Sequence, residues 1–166
     1  LNVGSGKNIT ISTSGTVSLS VVNTANVLAV TGSTITLNGD VTTVGGQTYN
    51  SPVILGADTT LTTTDSLVWF KSTVSNSSAR ALSISSGSGG VTFADTVGSG
   101  TALGAVSLTT TGTTTISSSL DAASFSGGAG TTAINGGSVT TSGTQTYNGA
   151  VTLGANATLT ASGCLL

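Results

Sequence analysis

Few side chains in this 166-residue sequence could do chemistry. There are five carboxylates, all aspartate: Asp40, Asp58, Asp65, Asp95 and Asp121. The cations are Lys7, Lys71 and Arg80; Cys164 is the one thiol, and Tyr49 and Tyr147 are the phenols. His and Glu are missing. Without His there is no Ser-His-Asp triad and no imidazole to hold a metal. No two aspartates lie close enough in sequence to suggest an acid–base pair. A glycosidase would have to assemble its two carboxylates from distant segments. Gly127-Gly128-Ala129-Gly130 opens like a calcium-binding G-G-x-G-x-D repeat, but Thr131 and Thr132 follow and no Asp does. The expectation is a non-enzymatic chain with no catalytic residue, no cofactor and no metal. Cys164 cannot form an intramolecular disulfide; it is either an incidental thiol or a bridge to another chain.

Recognition chemistry is almost as sparse. A net charge of −2 with three scattered cations gives no electrostatic footprint for nucleic acid. No basic amphipathic helix is present, and apolar runs of four or five residues fall far short of a membrane span of about 20, so membrane insertion is not expected. The candidate contact residues are aromatic: Trp69, Phe70, Tyr49 and Tyr147. Adjacent strand residues point to opposite faces, so one of Trp69 and Phe70 must face outward. An outward ring can stack on a sugar or on a neighbouring chain, or lie over a turn. The N-x-S/T triplets at Asn8, Asn76 and Asn156 read as chance matches in Ser/Thr-rich sequence.

The elements that must position these residues are short strands. More than a third of the chain is Thr or Ser, 24 residues are Gly, and only 5% are charged. Thr, Val and Ile dominate, and their branched side chains favour extended backbone. Ile9-Thr10-Ile11-Ser12, Val17-Ser18-Leu19-Ser20 and Ile35-Thr36-Leu37 alternate apolar with polar, and Gly, Ser and Asn clusters stand between them. Pro52 opens a short strand, where a missing N–H is tolerated. No segment carries a useful helical period.

The sequence repeats itself. Val41 to Thr64, VTTVGGQTYNSPVILGADTTLTTT, returns as Val139 to Ser162, VTTSGTQTYNGAVTLGANATLTAS, with 15 of 24 positions identical at an offset of 98. Ile9–Thr16 returns as Val106–Thr113 at an offset of 97. The copies cover 9–63 and 106–161 of a single solenoid segment, 1–166. Between them, Val68-Trp69-Phe70 and Val91-Thr92-Phe93 form a smaller echo 23 residues apart. Inside each copy, apolar residues recur every 18 to 20 residues: Leu19, Leu37 and Leu55, then Ile116, Ile134 and Leu153. That spacing suits one coil of three short strands and three turns, about 8–9 coils in all. These leucines and isoleucines are expected to point inward and stack. Five coils per repeat would put Tyr49 and Tyr147 on the same side of the rod.

The stretches 131–162 and 91–117 resemble the repeat regions of filamentous-haemagglutinin-like bacterial adhesins, with QTYN followed by AVTLGA or PVILGA as the most distinctive motif. The resemblance implies an all-β, right-handed parallel β-helix in a large secreted protein, working as an extended stalk or fibre. The chain starts at Leu1 without Met or signal peptide and reads as a segment of something longer. Expected surroundings are extracellular, or the bacterial cell surface. Expected partners are further copies or repeats of itself stacked end to end, and host or matrix glycans. The alternative is a binding module: T-x-T rows such as Thr34-Ile35-Thr36, Thr60-Leu61-Thr62 and Thr158-Leu159-Thr160 could order water as in ice-binding solenoids, or the coils could hold carbohydrate.

Overall fold

The computed structural model describes residues 2–163; Cys164 lies outside the described residues. Within them the chain is all β and winds as a parallel β-solenoid of about eight turns. Each turn carries three faces, visited in a constant order. The first face is built by 9–12 of the strand Asn2–Ser12, 28–30 of Val22–Thr31, Gln47–Tyr49, Val68–Phe70, Val91–Phe93, Thr114–Ile116, Thr132–Ile134 and Val151–Leu153. The second runs through Val17–Leu19, Ile35–Leu37, Val53–Leu55 and Val74–Asn76, then Val97, Leu120, Ser138–Thr141 and Thr158–Ala161. The third holds the start of Val22–Thr31, then Val41–Thr43, Thr59–Thr62, Leu82–Gly87, Leu103–Thr110, the end of Leu120–Gly127, and Gln145–Tyr147.

Most strands are only three residues long, and their burial alternates buried–outward–buried. In-register pairing therefore lines up like side chains in columns. One column runs Val17, Ile35, Val53, Val74, Val97, Leu120, Val139, Leu159. Each fully buried member is worth roughly 1.5–3 kcal/mol, a gain that no single coil could realise alone. Leu19, Leu37 and Leu55 stack as expected, and so do Ile116, Ile134 and Leu153. Leu153 is 60% exposed because it belongs to the last described turn.

The coils are unequal. Successive partners on the first face, from Ile9 through Leu28, Gln47, Val68, Val91, Thr114 and Thr132 to Val151, are spaced 19, 19, 21, 23, 23, 18 and 19 residues apart. The long coils widen the cross-section, and large rings fill it. Tyr49, Phe70 and Phe93 stack on successive turns with centroids 5.0 and 5.3 Å apart, and Phe125 sits buried on the third face.

This corrects the even period of 18–20 residues. Because the middle coils are long, a repeat of 97 or 98 residues falls one face short of five coils. Ile9 lies on the first face, but its counterpart Val106 lies on the third. Gln47–Tyr49 is on the first face and Gln145–Tyr147 on the third. The two tyrosines thus occupy different faces, not the same side of the rod.

Turn positions are held from within. Buried Thr43 and Thr141 donate to the Gly45 and Gly143 carbonyls at 2.6 and 2.8 Å, closing the same corner in both copies. Gly98 shows why a Cβ is excluded from some corners. Its φ is +78°, and an added Cβ would collide with the Asp121 carbonyl oxygen of the next turn.

Candidate functional site

The aromatic candidates separate into core and surface. Tyr49 and Phe70 are fully buried, which removes them as contact residues. In Gln47-Thr48-Tyr49 the parity is inward–outward–inward, so the polar Gln47 and Tyr49 both enter the core. The core accepts them because they satisfy each other. Tyr49 Oη donates to Gln47 Oε1 at 2.9 Å, and Gln47 Nε2 donates to the carbonyls of Val41 and Thr62 at 3.1 and 3.0 Å. Burial pushes the Tyr49 phenol far above its ordinary value. The second copy makes the same brace on another face: Tyr147 Oη to Gln145 Oε1 at 2.9 Å, Gln145 Nε2 to Val139 and Thr160 carbonyls at 2.8 and 2.7 Å. Tyr147 is half-buried. Its phenol is also raised by burial. The QTYN motif thus encodes a cross-brace between turns.

Trp69 is the outward member of its pair, 36% exposed in a first-face row between Thr48 and Thr92. Lys71 Nζ sits 4.4 Å from the ring centroid and covers it. A cation over an exposed ring contributes about 0.5–1 kcal/mol, so the pair is self-satisfied.

Three of the five carboxylates link one turn to the next. Asp40 accepts from the Thr60 N–H at 2.8 Å, Asp58 from Ala81 at 3.0 Å and Asp65 from Ser88 at 2.7 Å, each one turn further on. Asp95 accepts from its neighbour Thr96. Asp65 is held below the usual carboxylate value by the Ser88 backbone N–H and then the Ser88 side chain. Among the described residues no group of His, Cys, Asp or Glu could hold a metal ion. Asn8 and Asn76 are engaged as well: Asn26 donates to Asn8, and Asn76 donates to the Thr101 carbonyl and accepts from Arg80 N–H. The buried hydroxyl of Thr132 is unpartnered, but it points into the closed core column of the first face.

The T-x-T rows do not assemble. Thr34-Ile35-Thr36 and Thr158-Leu159-Thr160 lie at opposite ends of the second face, and Thr60-Leu61-Thr62 lies on the third. What the structure does assemble is a groove of about 630 Å³ on the third face, where the strands lengthen to Leu82–Gly87, Leu103–Thr110 and Leu120–Gly127. Outward hydroxyls line it in register: Ser85 beside Thr109, and Ser107 beside Ser126. Asp65 stands at one end and Asn148 at the other. Sequence reading missed this groove. Its one signal was the 23-residue spacing of the echo in 65–105, which marks coils larger than their neighbours. Set against protein-family models, curated proteins and solved structures, the chain matches none.

Proposed function

We propose that this chain is a length of stiff, non-enzymatic shaft in an extracellular bacterial surface fibre of the filamentous-haemagglutinin-like kind. The observation that carries the reading is where the polar chemistry goes. Asp40, Asp58 and Asp65 hold the next turn's backbone, Gln47 and Gln145 brace adjacent turns, and Lys71 lies on Trp69. Side chains used to couple turns make a rod that resists bending, which is the property a stalk needs. The QTYN and AVTLGA motifs support the bacterial-adhesin assignment by resemblance.

The last described turn leaves Val151, Leu153 and Leu159 at 40, 60 and 47% exposure, directly in line with buried columns. Among the described residues its strands are paired on one edge alone, and the other edge is a template for further parallel strands. The partner we propose is therefore another coil of the same design, from further repeats or a second copy stacked end to end. The test is analytical ultracentrifugation at micromolar concentration with electron microscopy. Association into thin rods, abolished by Leu153→Lys with Leu159→Lys, is expected. A wild-type chain that stays monomeric and whose last-turn amides resist hydrogen exchange would overturn the end-to-end reading. Surface labelling of intact bacteria producing the protein checks its location; absence of label before lysis would overturn that.

A further inference from the structure

We infer that the third-face groove is a binding site for an uncharged, extended oligosaccharide lying along the solenoid axis. The inference goes beyond the shaft reading and does not depend on it. Position is the first argument. Extra residues in a solenoid often mark the binding face, and in the two 23-residue coils the third-face strands, which line the groove, lengthen to six and eight residues. Its volume falls within the range of ligand sites.

Chemistry is the second argument. The side-chain hydroxyls of Ser85, Ser107, Thr109 and Ser126 make no hydrogen bond to protein among the described residues, so they are available. Each can donate and accept, as sugar hydroxyls do. They form two in-register pairs, Ser85 with Thr109 and Ser107 with Ser126, on three successive turns about 4.8 Å apart, so the hydroxyl rungs span roughly 10 Å in the middle of the groove. A chain of pyranose rings, with a repeat of similar length, can meet that ladder in register. The floor adds apolar contact for the C–H faces of the rings, from Leu108 and the bare backbone at Gly128.

Charge is the third argument. None of Lys7, Lys71 and Arg80 lines the groove, and Asp65 puts an ionised carboxylate at one end. Phosphate, sulfate and uronate groups would meet a negative charge and no counterpart. The Asp65 carboxylate can instead accept from a neutral sugar hydroxyl, and Asn148 can serve the other end.

The experiment is a titration of the folded chain with cellohexaose, chitohexaose and a heparin hexasaccharide, read by amide chemical shifts. Shifts at groove residues with a neutral hexasaccharide are expected, weakened at least tenfold by Ser107→Ala with Thr109→Ala, and blocked by Thr109→Trp. These positions face outward, so the alanine pair keeps the fold even where the bulky variant does not; circular dichroism verifies this. Silence with both neutral sugars overturns the inference, as does tighter binding of heparin. Binding that survives the alanine pair and is lost in Trp69→Ala moves carbohydrate to the first face and overturns the site.

Discussion

Replacing Gln47 by Leu and Tyr49 by Phe, singly and together, tests whether the buried amide–phenol pair acts as one unit. Gln47 and Tyr49 are both fully buried, and four hydrogen bonds converge on the Gln47 side chain. Tyr49→Phe keeps the ring on Phe70 and strands one acceptor of the amide. Gln47→Leu keeps the shape and strands the phenol together with lone pairs on the Val41 and Thr62 carbonyls. A buried group left without its partner costs about 1–3 kcal/mol, so Tyr49→Phe should cost that much and Gln47→Leu should sit at the upper end or above. Removing both members takes away donor and acceptor together, and the double variant should fall short of the sum by about 1–2 kcal/mol. For a chain of this size each kcal/mol lowers the thermal midpoint by about 2–4 °C. Repeat arrays can unfold in pieces, so amide hydrogen exchange across the turns of Gln47 and Val68 should accompany the melts. The second copy is an internal control. Tyr147 makes the identical bond while half-buried, where water can replace it, so Tyr147→Phe should cost less than half as much. An additive cycle, or equal costs at the two tyrosines, would refute the brace.

Three further outcomes follow from the same geometry. Ile134→Asp places an unpaired charge at a position with no exposure and should cost several kcal/mol, whereas Leu153→Asp, in the same column but at 60% exposure, should barely move the midpoint. Gly98→Ala should destabilise clearly more than Gly100→Ala: both have positive φ, but only at Gly98 does the new Cβ meet backbone of the next turn. Asp65 titrates below its ordinary value of 3.8, so its bond to Ser88 is complete above that value and is lost as pH falls through the lower folded pKa. Exchange of the Ser88 amide, corrected for intrinsic rate, should accelerate only in that acid range, and Asp65→Asn should abolish the pH dependence.

The strands and inward leucines were legible because period-two alternation and turn residues are local signals. Leu19, Leu37 and Leu55 reveal their column by spacing alone. Tyr49 was not legible. In Gln-Thr-Tyr no residue is plainly apolar, so the inward parity is hidden, and only the tertiary pairing of Gln47 with Tyr49 makes the core tolerate it. The phase of the repeats was hidden for a different reason. Coil length adds up along the chain, and a few extra residues in the two coils that follow Val68–Phe70 and Val91–Phe93 shift everything downstream without disturbing any local pattern. The groove shares that origin, since longer strands can be counted only once partners are known.

The displaced second copy has a consequence for how such a chain can change length. Val53-Ile54-Leu55 packs on the second face and its twin Val151-Thr152-Leu153 on the first, with the same residues pointing inward. Any face will therefore accept any strand. The smallest edit the architecture tolerates is one strand with its corner, about six or seven residues, and not a whole coil. Deleting such a unit would turn everything beyond it by a third of a revolution and leave its columns intact. A polypeptide that kept repeating with this offset would carry each motif around the rod like the thread of a screw, regaining its starting face after three copies. Length and angular position would then be written in the same small unit.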